Sequence, residues 1–344
     1  MRLRGAISGF GEVAAQAHLA GWASRPDVSI VAIHDPVSAR RHLAINLLKN
    51  ARVYDDLELM LDGEALDFLD IASPPAFHGG AARLALEAGV NVLVEKPICL
   101  DAREFRELAA IAASNRRVLS CVHNWKHAPA YRRAHELISS GRLGRIDHIS
   151  LVRMRNQPAG DGIGRAGERW RLDPKTGGGI LVDHSWHTFY LGEWLMGGEM
   201  PAAVSAHLGF AADSAVDDVA DLRIEFPEAR LAHVHLSWRA PVRRTLATIS
   251  GSEALLEIDG DKILLTDRSG VVENHSVHDA PDDSYHAGWF AGVAADFEQS
   301  ISGGPGGEAA VQNLHEAEAA LALTIAARQS AAENGRTIKL NPPR

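Results

Sequence analysis

Residues 3–121 alternate short apolar runs with helical patterns, and this alternation constrains the fold more than any other feature of the chain. Val28–His34 is an almost continuous apolar run, typical of a strand buried on both faces of a parallel sheet. The remaining segments are predicted as strands over 3–8, 66–72, 90–94 and 118–121 and as helices over 13–22, 81–88 and 101–115. Because strands that alternate with helices build parallel sheets, we predict an α/β fold that begins with a doubly wound Rossmann domain.

The pattern changes after Asn124, so we predict a domain boundary at residue 123. Most of 201–276 reads as consecutive strands, which favours an antiparallel sheet. The predicted elements are strands over 146–154, 219–226, 231–238, 245–249 and 337–340 and helices over 130–140, 285–300 and 309–334. A chain of 344 residues is too long for one ordinary core. We expect a nucleotide-binding domain over 1–123, and over 124–344 an α/β substrate-binding and oligomerisation domain with an open, mostly antiparallel sheet.

A glycine turn, Gly9-Phe10-Gly11-Glu12-Val13-Ala14, lies between the first predicted strand and helix, the context in which this motif binds a dinucleotide. Gly11 lets the backbone approach a diphosphate at the helix N-terminus. Asp35 ends the second strand, where a carboxylate accepts hydrogen bonds from the adenosine ribose and repels a 2′-phosphate. We therefore expect NAD, with NADP left open because Arg40 and Arg41 lie close by. An ordinary glycine turn is the alternative.

Three charged residues further along have the properties of catalytic groups. Lys96, in Glu95-Lys96-Pro97, follows a predicted strand and lies at the edge where open parallel sheets bind ligands. Asp183 and His187 are four residues apart, which predicts that both side chains project from one face of a single helix. His187 suits proton transfer, because the unperturbed pKa of histidine, about 6.5, lies close to neutral pH. Asp183 then orients the ring or binds a substrate hydroxyl. The alternative is a structural carboxylate and a core histidine.

Several other classes of function are disfavoured by the sequence. Asp183, His184 and His187 form no His-Glu-x-x-His motif and no cysteine cluster accompanies them, so we predict no metal site. A net charge of −9 and a pI near 6.0 argue against nucleic acid as a partner. No run of 18 apolar residues and no export signal occur, so we expect neither membrane insertion nor secretion. With only two cysteines, Cys99 and Cys121, the chain fits a reducing cytoplasm.

Taken together, these motifs resemble the glucose–fructose oxidoreductase, inositol dehydrogenase and rhizopine oxidoreductase family, Gfo/Idh/MocA. The resemblance covers most of the chain, and the order and spacing of the motifs are more specific than any single one. It rests on Gly9-Phe10-Gly11, Asp35, Ser73-Pro74-Pro75 with His78, Glu95-Lys96-Pro97, Trp170-Arg171, and Gly177-Gly178-Gly179 followed by Asp183 and His187. Ser185 departs from the family pattern, because glycine commonly occupies that position.

The resemblance implies roles for individual residues. Lys96 is expected to hydrogen-bond substrate and nicotinamide ribose, with Lys96–Pro97 as a cis peptide, and His187 to accept the substrate proton. Lys126 is expected to join Lys96, Asp183 and His187 as a substrate contact, because Asn124-Trp125-Lys126 replaces a segment that often carries arginine. The expected cofactor contacts are Gly9, Phe10, Gly11, Glu12, Val13, Asp35, Ser73, Pro74, His78, Glu95, Lys96, Asn124, Trp170 and Arg171.

The activity implied by the resemblance is that of an NAD(P)-dependent dehydrogenase or reductase. It would transfer hydride between nicotinamide and a secondary alcohol or ketone of a cyclitol, sugar or sugar derivative. Further substrate contacts are expected from the loop over 156–172, and a homodimer or homotetramer is expected to form through the open sheet. Two alternatives remain: a glycosidase that uses bound NAD for transient oxidation, and a non-catalytic regulator that binds NAD.

Overall fold

The computed structural model describes residues 2–158, 170–279 and 285–340, and within these ranges the strands form two sheets. The strands are β1 (Leu3–Ser8), β2 (Val28–His34), β3 (Arg52–Tyr54), β4 (Phe68–Ile71), β5 (Asn91–Val94), β6 (Leu119–Cys121), β7 (Ile146–Met154), β8 (Ala203–Phe210), β9 (Asp217–Glu225), β10 (Leu231–Ser237), β11 (Arg244–Gly251), β12 (Ala254–Asp259), β13 (Lys262–Asp267), β14 (Val272–Asn274) and β15 (Ile338–Lys339). The α-helices are α1 (Leu19–Ala23), α2 (Ser38–Leu47), α3 (Leu57–Gly63), α4 (His78–Glu87), α5 (Ala102–Ser114), α6 (Pro129–Ser139), α7 (Ile180–Asp183), α8 (Ser185–Leu195), α9 (Ala287–Gly303) and α10 (Glu308–Ala332).

The first sheet is parallel and has the strand order β3-β2-β1-β4-β5-β6. The chain winds outward from β1 to β3 and then returns to β4, so the order reverses beside β1, the point at which such sheets bind ligands. Both β1 and β2 have the bounds that their apolar runs predict. Asp101 caps α5, because its Oδ1 accepts from the backbone N–H groups of Arg103 and Glu104. The prediction of a Rossmann domain is confirmed.

The second sheet has the order β14-β13-β12-β11-β7-β10-β9-β8-β15. Its described pairs are antiparallel except for β7 with β10, which run parallel. Alternate residues of β7, such as Ile149 and Leu151, are buried in a core that also includes Tyr190 of α8 and Ala320 of α10. One face of the sheet is therefore covered by helices, and the predicted mostly antiparallel sheet is confirmed.

The two long helices at the end of the chain connect the sheets. Phe290 of α9 packs edge-on against Trp22 at 5.7 Å between ring centres, and Phe297 packs against Phe68 of β4 at 5.7 Å. On α10, the Asn313 side chain accepts from the backbone N–H of Cys121 at 2.7 Å and donates to its carbonyl at 3.0 Å. Residues far along the chain thus complete the core of the first sheet and hold its last strand.

A buried charged cluster lies beneath the first sheet's ligand-binding edge. His18, fully buried, contacts Asp70 through Nδ1 at 2.9 Å and Glu95 through Nε2 at 3.2 Å. Burial alone lowers the pKa of an imidazole, but the charge and hydrogen bond of Asp70, followed by those of Glu95, outweigh it and raise the pKa of His18 to about 9. His18 is therefore an imidazolium at neutral pH and balances the carboxylates around it.

We expect this cluster to make stability depend on pH. The folded-state pKa of His18 is raised from 6.5 to about 9, so its contribution of about 3 kcal/mol is complete below pH 6.5 and is lost as pH rises through about 9. Urea unfolding below pH 6.5 and above about pH 9 measures the loss, which should be smaller in His18→Gln. His127→Gln, whose ring meets the exposed Asp296, is the matched control and should keep the full wild-type dependence.

Candidate active site

A cavity of about 290 Å³ lies at the carboxyl ends of β1, β4 and β5, where residues of the second half of the chain also meet it. It receives side chains from nearly every motif that the sequence singled out. The lining residues are Gly11, Glu12, Val13, Arg40, Ala72, Ser73, Pro74, Pro75, His78, Glu95, Lys96, Asn124, Trp125, Arg153, Arg155, Trp170, Arg171, Asp183, His184, His187, Tyr285 and His286.

The glycine turn forms one wall of this cavity. Gly9 has a φ of +89°, and a β-carbon there would lie 2.5 Å from the backbone nitrogen of Ser73, so the turn requires glycine. At Gly11 a β-carbon would meet no protein atom within 4 Å, which leaves its backbone open to the cavity. Phe10 lies in the core with its side chain fully buried, so only its backbone belongs to the turn.

Asp35 holds the glycine turn from beneath and does not line the cavity. The carboxylate is fully buried, and it accepts from the N–H of Phe10 at 2.7 Å and from the N–H of Val37 at 2.8 Å. Arg40 lines the cavity instead, with Nη1 3.7 Å from Asp35 Oδ2. The ribose contact assigned to Asp35 stays a prediction. The sequence did not distinguish Arg40 from Arg41 as the neighbouring cation, and of the two only Arg40 lines the cavity.

Several buried polar atoms on the cavity wall lack hydrogen-bond partners within the described residues, among them those of Ser73 and Asn124. Ser73 Oγ and Asn124 Oδ1 are buried and make no hydrogen bond within the described residues. The ring of His78 bridges the carbonyls of Ser73 and Pro97, each at 2.6 Å, and so ties the two loops together. Because buried polar atoms are normally paired, these two atoms together with the open backbone at Gly11 fit a polar cofactor.

Lys96 and Asp183 join the two halves of the chain across the cavity. The Lys96–Pro97 peptide is cis, as expected. Lys96 Nζ donates to Asp183 Oδ1 at 3.0 Å and to the Asp183 carbonyl, while Arg171 Nε donates to Oδ2 at 3.0 Å. Burial opposes ionisation of Asp183, but Arg171 and then Lys96 outweigh it and hold the pKa of this carboxyl well below 3.8. Asp183 is therefore a fixed anion that positions two cations, and it exchanges no proton near neutral pH.

His187 is a neutral imidazole with one nitrogen already engaged. Its Nδ1 lies 2.9 Å from the Tyr190 hydroxyl, and its ring stacks on Trp125 at 5.2 Å between ring centres. Burial, followed by the charge of Lys96, lowers the pKa of His187 well below 6.5. Nε2 makes no hydrogen bond within the described ranges, so this nitrogen is available to a ligand in the cavity. Of the two roles predicted for Asp183, orientation of this ring is wrong, because Tyr190 occupies Nδ1.

Tyr190 determines which nitrogen of His187 carries hydrogen. Its hydroxyl oxygen is fully buried, accepts from the N–H of Trp125 at 3.0 Å, and has one hydrogen to donate. When the hydroxyl donates to His187 Nδ1, Nε2 carries hydrogen and is a donor. When it accepts from Nδ1–H, Nε2 carries a lone pair and is able to take up a proton. The tautomer in which Tyr190 accepts is therefore the one that suits a base.

We expect Tyr190→Phe to lower kcat about tenfold, because His187 loses the group that sets its tautomer while the ring packing is kept. Steady-state kinetics in both directions measure the effect. Tyr131→Phe removes the hydroxyl of another buried tyrosine beside Trp125 and is the matched control. Equal losses in the two variants would contradict the role of Tyr190.

The prediction that Asp183 and His187 share one helix is wrong. Asp183 ends α7, and His187 lies in α8, which begins after a break at His184. The Ser185 hydroxyl donates to the carbonyl of Leu181 and so competes with the backbone for that acceptor. Both residues nevertheless line the cavity, because α7 and α8 follow one another directly at its wall.

Lys126 lies outside the cavity, contrary to the expectation of a substrate contact. Its Nζ donates to the buried Glu316 at 2.7 Å and lies 5.4 Å from the ring centre of Trp194, beside a separate groove. Glu316 also meets Nδ1 of His123 at 3.1 Å, so the carboxylate has two basic partners. Lys126 is drawn toward this buried anion, which the sequence places 190 residues away.

Other expected contacts lie where the motifs predict or fall outside the described ranges. Trp170 lines the cavity with the guanidinium of Arg171 4.2 Å from its ring centre. The loop over 156–172 is described only at its ends, since residues 159–169 lie outside the described residues. Sequence reasoning missed Arg153 and Arg155, although two arginines at alternate positions at the end of a predicted strand were a readable signal.

Metal-binding clusters and membrane-spanning helices are both absent from the described residues. No group of three or more histidine, cysteine, aspartate or glutamate side chains there is arranged to hold a metal ion. Among the helices in the same ranges, none is both long enough and apolar enough to cross a membrane.

Comparisons with known proteins agree with this fold. Residues 3–123 match the family model described as "Oxidoreductase family, NAD-binding Rossmann fold", and residues 131–257 match the "GFO/IDH/MocA C-terminal domain". D-glucoside 3-dehydrogenase of Escherichia coli (strain K12) is 29% identical over 205 residues, 60% of this chain and 57% of that protein. Inositol 2-dehydrogenase of Rhizobium meliloti (strain 1021) is 25% identical over 223 residues, 64% of this chain and 63% of that protein. The chain thus spans less than two thirds of either relative.

A solved structure extends the similarity over nearly the whole chain. The crystal structure of GenD2 from gentamicin A biosynthesis, in complex with NAD, superposes with a TM-score of 0.83 and 25% identity, covering 99% of this chain and 97% of that one. The two family models lie on either side of the change of pattern after β6, and together they include Lys96, Asp183 and His187. The chain belongs to the Gfo/Idh/MocA family of oxidoreductases, whose N-terminal domain has the NAD-binding Rossmann fold.

Proposed function

We propose that the protein is an NAD-dependent dehydrogenase that interconverts a secondary alcohol and a ketone on a sugar, a cyclitol or a derivative of either. The observation that carries the proposal is the meeting of Lys96 and His187, from separate halves of the chain, in one cavity beside Gly11. The names of the relatives, D-glucoside 3-dehydrogenase and inositol 2-dehydrogenase, support substrates of this kind. The complex of GenD2 with NAD supports NAD as the cofactor.

The cavity residues fit the cofactor on chemical grounds. Gly11 leaves room for the diphosphate. The unpaired Ser73 Oγ and Asn124 Oδ1 offer the polar groups of the cofactor a hydroxyl and an amide acceptor. NAD supplies, when bound, the nicotinamide that accepts hydride from the alcohol carbon. Arg40 at the cavity wall is able to bind a 2′-phosphate, so NADP is an alternative that the assay below includes.

Side chains of the protein carry out the proton transfer and stabilise the charge on the substrate. His187 Nε2 takes the hydroxyl proton, for which the neutral imidazole is the competent form. The Lys96 ammonium stabilises the negative charge that develops on the substrate oxygen, and Asp183 keeps that ammonium in place. Tyr190 holds the imidazole. In ketone reduction the same groups act in reverse.

The test is turnover of purified protein with NAD or NADP and a panel of sugars, cyclitols and glycosides. A dehydrogenase produces reduced cofactor in proportion to the alcohol consumed, and a substrate deuterated at the reacting carbon slows the step. Cleavage of a glycoside without net NADH would favour the glycosidase alternative. Binding of NAD with neither reaction would favour a regulator and would contradict the proposal.

We also propose that the protein forms a homodimer or homotetramer through the nine-stranded sheet. The support is that the helices of the core cover one face of this sheet, while the other carries partly exposed side chains such as His148, His233 and Val152. Light scattering of the purified protein measures the mass. Replacement of Val152 by glutamate should shift the assembly toward monomers if this face is the interface, and a mass unchanged by that variant would contradict the proposal.

A further inference from the structure

The half of the cavity built by the second sheet carries an excess of positive charge. Lys96 and Arg171 share the carboxylate of Asp183, and Glu95 pairs with the His18 imidazolium. Arg153 and Arg155, from the end of β7 and the residue after it, also line the cavity. Neither has a carboxylate within ion-pair distance among the described residues. Asp183 and Glu95 are therefore engaged by other cations, and Glu12, a third carboxylate that lines the cavity, accepts from the Tyr285 hydroxyl.

Arg153 is the more deeply placed of these two cations. Only 9% of the residue is exposed, its Nη1 meets Thr245 Oγ1 at 3.3 Å, and its Nε is buried without a hydrogen-bond partner. Burial, then the charges of Arg155 and Arg243, lower the pKa of Arg153 to about 9. A buried cation among other cations is unfavourable, and here the more distant charge of Asp183 offsets only part of the lost hydration because no described carboxylate forms an ion pair with Arg153. A bound anion would remove that penalty and satisfy the free Nε.

This cationic pair lies close to the proposed reacting centre. The Arg153 guanidinium carbon is 4.0 Å from the ring centre of Trp125, and the His187 ring stacks on the same indole. An anion bound by Arg153 and Arg155 therefore lies near the alcohol whose proton His187 takes.

We propose that the substrate is an anionic polyol, a sugar or cyclitol that bears a carboxylate or a phosphate group bound by Arg153 and Arg155. This inference rests on the proposed function. Planar guanidinium groups match both oxyanions, so the two sources share one chemistry. The alcohol carbon loses hydride to the cofactor, the hydroxyl loses its proton to His187, and the anionic group leaves the reaction unchanged.

The test compares neutral polyols with their charged counterparts at constant ionic strength: galactose with galacturonate, and glucose with glucuronate and with glucose 6-phosphate. We expect kcat/KM to be at least tenfold higher for the anionic member of at least one pair. Whether that member is a uronate or the sugar phosphate shows whether the site binds a carboxylate or a phosphate. In Arg155→Gln, that preference should fall about tenfold. Arg155 is less buried than Arg153, so this variant avoids the deeper packing around Trp125. Arg145→Gln, an exposed arginine just before the same strand, is the matched control and should keep the wild-type preference.

A binding measurement separates failure of this inference from failure of the proposed function. Calorimetric titration of the NADH-loaded protein with the same acids and phosphates should give affinity that weakens with salt and falls in Arg155→Gln but not in Arg145→Gln. If neutral and anionic polyols are oxidised equally well by wild type and Arg155→Gln, the anion site is overturned while the dehydrogenase stands. If nothing is oxidised but anion binding depends on Arg155, the inference about the anion holds and the proposed reaction fails. Absence of both overturns the inference.

Discussion

Replacing Lys96 with methionine is expected to lower kcat by about 10²–10³-fold, the range found when one donor to a developing oxyanion is removed. The Lys96 side chain is 10% exposed and its Nζ is held 3.0 Å from Asp183 Oδ1, so the ammonium is fixed in the cavity before a substrate arrives. Methionine preserves most of the side chain's length and apolar contacts but has no charge. The measurement is kcat and KM for the best substrate, with NADH fluorescence as an independent readout of cofactor binding.

Lys126→Met is the matched control for this variant. Lys126 also pairs with a buried carboxylate, that of Glu316, but it lies beside the separate groove. Its replacement removes the same charge and leaves a similar buried anion, and we expect kcat to stay within about threefold of wild type. If Lys96→Met keeps more than about a tenth of wild-type kcat, or if the two variants lose activity equally, the assignment of Lys96 to the reacting centre is wrong.

Replacing His187 with glutamine is expected to reduce alcohol oxidation by about 10²–10⁴-fold at neutral pH, the usual contribution of a positioned acid or base. Glutamine keeps a polar group near the Tyr190 hydroxyl but takes up no proton. His135→Gln, in which the replaced ring stacks on Trp194 beside the separate groove, is the control and should remain active.

The assignment of His187 as the base also predicts how the rate depends on pH. Burial and the charge of Lys96 lower the pKa of His187 well below 6.5, so the neutral base persists below pH 6.5. Oxidation should hold its rate there and decline only as pH falls through the lowered pKa, whereas ketone reduction, which needs the protonated ring, should gain over the same interval. A decline of kcat/KM centred at or above pH 6.5, or one that persists unchanged in His187→Gln, would refute His187 as the base.

Local signals account for the parts of the fold that the sequence predicted well. The continuous apolar run of β2 and the Asp101 cap each act over a few residues, so their effect is readable without the tertiary structure. The turn at Gly9 is also a local signal, since the positive φ at this position favours glycine. The break between α7 and α8 is the counterexample, because the residue spacing predicted a continuous helix where the Ser185 hydroxyl takes the Leu181 carbonyl as its acceptor.

Partners distant in sequence decided the rest of the site. Lys126 turned away from the cavity because Glu316 lies beneath it, and Tyr190 acquired a role because the fold set its hydroxyl between Trp125 and His187. The Asp35 carboxylate accepts from the backbone N–H groups of Phe10 in the glycine turn and of Val37. Nothing in residue type or spacing distinguishes these outcomes from their alternatives, since each depends on where a second segment comes to lie.

By itself the amino-acid sequence determined the Rossmann sheet, the glycine turn, the mostly antiparallel second sheet and the identity of Lys96, Asp183 and His187 as candidates, because these follow from short-range periodicity and from motifs. Only the tertiary structure decided that Asp183 is a permanent anion, that His187 is neutral, and that Arg153 and Arg155 form a cationic wall beside them. The physical reason is that charge states depend on burial and on neighbouring charges, and both are set by contacts between segments far apart in the chain.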